Sequence, residues 1–153
     1  MIVLYTGMMA AVFLTDILVK QSVEEKISVR EERKICKGRI LVRKVYNEGM
    51  MLSFMKCYPR IVKWSSVVLG VLIFTYDAIL LCRKGHHLKK IGMMLLTGGA
   101  WSNILDRILR GKVIDYFGFQ TKWKAFTRIT FNLGDLCIFS GAALSVMDRL
   151  ARK

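Results

Sequence analysis

The chain is predicted to be an all-α membrane protein, with four transmembrane helices and a small extracytoplasmic β-hairpin or cradle. Three observations predict this. Hydrophobic residues make up 54% of its 153 residues and mean hydropathy is +0.37, more apolar than an ordinary soluble domain of this length. The apolar residues gather into four stretches, each approaching the roughly 20 residues that a helix needs to cross a bilayer. The basic excess, 25 Lys and Arg against 11 Asp and Glu, falls largely between those stretches. A single Pro and the absence of any low-complexity run leave no linker, so residues 1–153 read as one integral-membrane domain.

The first span is expected at residues 1–19. Met1 to Leu14 resembles a signal-peptide core but has no charged leader and no small-residue cleavage site, so a retained helix is expected. Asp16 and Lys20 stand at i, i+4 near its end, where they can pair at the membrane interface. The charged segment that follows is expected to hold two short strands, Arg30 to Cys36 and Arg39 to Tyr46, joined at Lys37-Gly38. Ile40, Leu41, Val42 and Val45 need cover, which favours an amphipathic hairpin on the membrane surface over a disordered loop.

The second span is expected at residues 61–82, with Asp77 close enough to one end to reach headgroups and given no role. The third is expected at residues 91–109 and the fourth at residues 131–147, the first and fourth short enough to require tilt or local thinning. Four spans put both termini on one side. The basic 83–90 loop and the tail from Arg149 should face the cytoplasm by the positive-inside rule. The 110–128 loop is basic as well, and residues 20–46 carry nine Lys or Arg against four Glu, so the short loop and tail decide the topology. Trp64, Trp101 and Trp123 are expected as interfacial anchors.

A net charge of +14 on a soluble protein would suggest nucleic acid. Basic residues placed between apolar spans fit anionic membrane lipids instead, and no nucleic-acid partner is expected. Cys36, Cys57, Cys82 and Cys137 are scattered without a C-x-x-C pair or a His at ligand spacing, so four isolated thiols and no metal are expected. A Cys36–Cys57 disulfide is an alternative if both face outside. His86 and His87, in the basic loop, are expected to be solvated or to face lipid.

The chemistry concentrates in two carboxylates. Asp115 follows the third apolar stretch and Asp135 begins the fourth, and a carboxylate close to hydrocarbon is a functional candidate by default. Antiparallel helices can bring the two together as an acid/base pair sharing one proton. Asn103, Asp106, Arg107 and Arg110 fall at i, i+3, i+4 and i+7 on one helix face, after the small residues Gly98-Gly99-Ala100 that let helices approach closely. Asn132 and Asp135 form a matching face, and Asn132 suits an N-cap.

Taken in order, these segments resemble the bacterial lipoprotein signal peptidases (signal peptidase II), four-span aspartyl proteases of the cytoplasmic membrane. Asp16-Ile17-Leu18-Val19-Lys20 resembles that family's D-x-x-x-K element, and Asn47 to Phe54 its N-x-G-A-A-F-S segment. Gly98 to Arg107 follows its G-G-A-x-G-N-x-x-D-R block, Val113-Ile114-Asp115-Tyr116 its V-V-D-F, and Phe131 to Asp135 its F-N-x-A-D. The resemblance implies a catalytic dyad of Asp115 and Asp135. It implies Asn47, Asn103, Arg107 and Asn132, together with Asp16 and Lys20, as substrate-binding or positioning residues. It further implies a prolipoprotein substrate cut just before a Cys that carries diacylglycerol, no cofactor, and a monomer whose active site faces the extracytoplasmic side. Met50-Met51, Ser102 and Gly134 depart from the pattern, as do Leu52 and Leu136. The methionines replace small residues beside the substrate path. The competing reading is a non-catalytic membrane adaptor that binds lipidated chains or anionic lipid; it has no need of both aspartates and both asparagines.

Overall fold

The computed structural model describes residues 1–29, 31–49, 55 and 57–152. The expected strand residue Arg30 and the departures at Met50, Met51 and Leu52 lie outside them. Eight elements follow one another: α1 (Ile2–Lys26), β1 (Glu32–Ile35), β2 (Ile40–Asn47), α2 (Pro59–Cys82), α3 (His87–Leu109), β3 (Val113–Phe119), α4 (Lys124–Thr127) and α5 (Leu133–Leu150). Each expected apolar stretch is a long helix. Of these, α1 and α2 are long and apolar enough to cross a membrane by length and composition. Their outward faces are bare hydrocarbon: Val3, Leu18 and Leu72 are 83%, 68% and 61% exposed.

The helix α1 runs almost two turns beyond the expected end at Val19. Hydropathy marks where the apolar surface stops, not where the helix stops. Val19, Val23 and Ile27 continue an i, i+4 stripe past that point and pack on Ile114 and Tyr116 of β3. Helix pairing depends on glycines. Gly92 meets Gly141 and Gly99 meets Gly134, two contacts seven residues apart on each of the antiparallel helices α3 and α5. A methyl group at Gly92 would stand 2.6 Å from the Gly141 carbonyl oxygen. Gly98 faces α1 in the same way, 2.6 Å from the Met9 carbonyl oxygen.

The expected hairpin is present, and its turn at Cys36-Lys37-Gly38 has positive φ values of 51°, 57° and 80°. It is not a lone hairpin. β3 pairs antiparallel with β2 to make a three-stranded sheet ordered β1-β2-β3. The sequence Val-Ile-Asp-Tyr-Phe-Gly-Phe is rich in β-branched and aromatic residues, a strand signal that loop polarity around it had hidden. The β2–β3 register shifts by one residue between Val42 and Val45, a bulge at Arg43 and Lys44. Arg43 then reaches Thr130 Oγ1 at 2.9 Å and the Thr127 carbonyl at 2.8 Å, holding the segment after α4 against the sheet.

Several side chains differ from expectation. Asp16 and Lys20 pair, with Nζ 2.8 Å from Oδ2, but both are fully buried rather than interfacial. Asp77, expected near headgroups, is 2% exposed and accepts a 2.5 Å hydrogen bond from Thr97 of α3. Trp101 is half-buried and packs edge-on against Phe74 of α2, whereas Trp64 and Trp123 are 63% and 79% exposed. His87 is exposed, as expected, and is also hydrogen-bonded through Nδ1 to the Tyr5 hydroxyl at 2.6 Å, which joins α3 to α1. All four cysteines are free thiols.

Candidate active site

Alternation along β3 sends Ile114 and Tyr116 toward α1, and Asp115 to the opposite face. On β2, Asn47 partners Val113 and Val45 partners Asp115, so Asn47 and Asp115 are diagonal neighbours on that face. The Asn47 Nδ2 donates to Asp115 Oδ2 at 3.2 Å. The expected loop residue is therefore held by a sheet, which fixes its carboxylate far better than a loop would.

Asp135 is placed by a helix start. Asn132 has extended backbone angles and caps α5: its Oδ1 accepts the Asp135 N–H at 2.8 Å, while its own N–H donates to Asp135 Oδ2 at 3.2 Å. This reciprocal capping box sets both the helix boundary and the carboxylate orientation. The remaining Asn132 donor, Nδ2, reaches Asp115 Oδ1 at 2.7 Å. One fully buried asparagine thus bridges the two aspartates. The other Asp135 oxygen accepts Asn103 Nδ2 at 2.9 Å.

Behind these contacts lies a buried polar network. Lys20 Nζ donates to Asn103 Oδ1 at 2.7 Å and Ser102 Oγ at 3.1 Å, and stands 3.3 Å from Asp106 Oδ2. Asp16 also accepts from Ser102 at 2.6 Å and from the Tyr116 hydroxyl at 3.2 Å. That hydroxyl in turn accepts the Leu133 N–H at 2.9 Å, so the first free N–H of α5 is tied to Asp16. Asp106 pairs with Arg110 and accepts the Ile114 N–H at 3.2 Å. The face expected from Asn103, Asp106, Arg107 and Arg110 thus divides its work. Asn103 faces the carboxylates, Asp106 and Arg110 tie α3 to β3 and α1, and Arg107 Nη2 donates to the Gly49 carbonyl at 2.9 Å.

Asp115 and Asp135 line one cavity of about 410 Å³ among α2, α3 and α5. Asn47, Asn103 and Arg107 share its wall with Leu69, Ile104 and Phe139. Asp16, Lys20 and Asn132 do not line it and act only through the residues in front of them. Burial, reinforced by the negative charge of Asp135, pushes the Asp115 carboxyl up to about 7; the Asn132 and Asn47 amides and the Lys20 charge oppose that rise. Burial and the neighbouring Asp16 carboxylate raise the Tyr116 hydroxyl, which stays a neutral donor. The arrangement offers two carboxyls able to share a proton beside an apolar cavity, with amide donors and one guanidinium around them. Ser102 and Tyr116 went unrecognised as members of this network. Ser102 is hidden in an apolar helix, and Tyr116 declares itself only once β3 is known to be a strand.

Comparison with known proteins gives a consistent set of likenesses. Residues 8–151 match the family model described as signal peptidase (SPase) II. The lipoprotein signal peptidase of Mesorhizobium japonicum is 33% identical over 95% of this chain and 84% of its own length. That of Paraburkholderia phymatum is 35% identical over 97% of this chain and 88% of its own. A solved bacterial membrane enzyme superposes with a TM-score of 0.83 at 16% identity, covering 96% of this chain and 87% of that one. A second gives 0.78 at 17% identity, covering 95% and 92%.

Proposed function

Because the chain belongs to the signal peptidase II family, we propose that it removes the signal peptide from diacylglyceryl-modified prolipoproteins, cutting before the lipidated Cys with Asp115 and Asp135 as its catalytic dyad. The single observation that carries the assignment of the dyad is the Asn132 bridge, which holds both carboxyls on one cavity wall. The apolar part of that cavity suits a hydrophobic signal segment and acyl chains. In this reading α1, α2, α3 and α5 are four membrane spans, the sheet and α4 lie on the extracytoplasmic side, and the 83–90 loop is cytoplasmic.

The mechanism follows from the proton inventory. Two adjacent carboxyls, Asp115 buried and Asp135 half-buried, share one proton, and their titration belongs to the pair. In this reading the reaction starts with the shared proton on Asp115, where burial and the neighbouring Asp135 favour the neutral carboxyl. The ionised Asp135 takes a proton from water as the oxygen attacks the scissile carbonyl. Asp115 donates a hydrogen bond to the carbonyl oxygen and then supplies the proton that the leaving amine needs. Arg107, anchored to the Gly49 carbonyl, supports the extended substrate backbone along β2. Asn103 and Asn132 hold the carboxylates without adding charge.

The deciding experiment incubates the purified protein with a diacylglyceryl prolipopeptide and with the same peptide unlipidated. Only the lipidated peptide should be cut, since the lipid anchors the Cys at the depth of the dyad. Equal cleavage of both would overturn the substrate assignment, and a folded but inactive protein would favour the adaptor reading.

A further inference from the structure

Asp115 faces two cavities. Besides the large one among the helices, a smaller one of about 290 Å³ lies between β2 and the segment that leads from α4 to α5. Both are lined by Asn47, Asp115, Ile129 and Thr130, so they meet at the same carboxyl. The smaller is completed by Val45 on the sheet side and by Ala125 and Arg128 opposite. Its outer wall is built firmly: Arg43 crosses from the bulge in β2 to Thr130 and the Thr127 carbonyl, and Phe131 is bridged to Phe117 of β3.

The two cavities differ in surroundings. The large one lies among the helices, whereas the small one is an open groove between sheet and loop, with Ala125 and Arg128 exposed at its rim. A substrate with its scissile bond at Asp115 and its apolar segment in the helical cavity must send its other half somewhere, and the small cavity opens from the same carboxyl. From Tyr116 to Asn132 the chain has three cationic residues, Lys122, Lys124 and Arg128, and no acidic one. Among the described residues no carboxylate pairs with Arg128.

We propose that this second cavity binds the extended polypeptide on the C-terminal side of the scissile bond, with Arg128 favouring an acidic side chain there. The proposal rests on the peptidase reading above and adds a subsite to it. The Asn47 amide marks the boundary, since it binds Asp115 while lining both cavities. Ala125 sets the width of the path.

The test uses lipidated peptides that carry Asp, Ser or Lys at the second and third residues after the Cys, in zwitterionic micelles so that headgroup charge does not bias partition. The full-length protein should favour Asp over Lys by about five-fold in kcat/KM, the scale of a partly exposed ion pair. Arg128→Glu should invert that ratio. A ratio near one, or a preference that Arg128→Glu leaves in place, overturns the subsite. Cleavage of the Ser peptide without charge discrimination would overturn the subsite alone, while no cleavage of any lipidated peptide would overturn the peptidase reading and the subsite with it.

A second variant probes the path without charge. Ala125→Trp should lower kcat/KM about ten-fold for a peptide that extends well beyond the Cys, and much less for one ending just after it. Equal loss on both lengths would show that the cavity does not carry the chain.

Discussion

Lys20 Nζ lies 2.7 Å from Asn103 Oδ1, and this contact decides which way the Asn103 amide points. An ammonium has only donors, so the amide oxygen must face it and the NH2 must face Asp135, where it donates at 2.9 Å. A residue that lines no part of the cavity thereby sets the hydrogen bonding of one that does. The same ammonium meets Asp16 and Asp106, so two carboxylates and an amide depend on one buried charge.

That dependence predicts the cost of removing it. Lys20→Met should destabilise the folded protein by about 3–5 kcal/mol, because Asp16 and Asp106 lose a buried partner. Lys20→Met combined with Asp16→Asn should recover part of the loss. Thermal unfolding in micelles measures both, and an unchanged midpoint for the single variant would contradict the network's role.

Removing either titratable group should abolish cleavage. Asp115→Asn and Asp135→Asn keep shape and hydrogen-bonding capacity but cannot cycle a proton, so rates should fall on the order of 100- to 10,000-fold. Folded protein is quantified alongside, since Asp135→Asn also alters the capping box. Wild-type turnover by either variant would refute the aspartyl mechanism.

The pH profile should carry the signature of Asp115. Its carboxyl, pushed up to about 7, must be protonated to assist the carbonyl oxygen, so kcat/KM should fall as pH rises through that value. Asn47 stabilises the ionised form through its 3.2 Å hydrogen bond. Asn47→Ala should therefore move the basic limb to higher pH while lowering the maximal rate. A limb that stays in place or moves down would assign the titration elsewhere.

Helix contacts through glycine should tolerate no methyl group. Gly99→Ala and Gly92→Ala drive a side chain into the backbone of α5 and should cost about 1–3 kcal/mol each. Gly7→Ala meets nothing within 4 Å and, placing Ala for Gly inside α1, should hold or slightly raise stability in the same unfolding assay. Equal behaviour of the three would show that α3 and α5 do not approach as closely as described.

Orientation can be read with single cysteines in a cysteine-free background. An impermeant thiol reagent applied outside should label position 122, beside α4, and spare position 84, in the basic loop. The reverse pattern would invert the topology and move the dyad to the other face.

The long helices were legible in the chain because span length and apolar composition are local properties. The cap at Asn132 was legible too, since an N-cap and its N3 partner lie within one turn. The residue types of the dyad stood out for their cost beside apolar segments. Other features required the folded chain. β3 became a strand because β2 supplies its hydrogen-bond partners, and Asp115 is oriented by that pairing rather than by anything in its own loop. Asp16 and Lys20 looked interfacial from their place near the end of the apolar run in α1. They are buried because α3 and β3 close over them, Ser102 and Asn103 from one side and Tyr116 from another. Local patterning thus determined which segments are helical and apolar. Long-range pairing and helix packing decided which polar groups meet, because a side chain's burial and partners are set by residues distant in the chain.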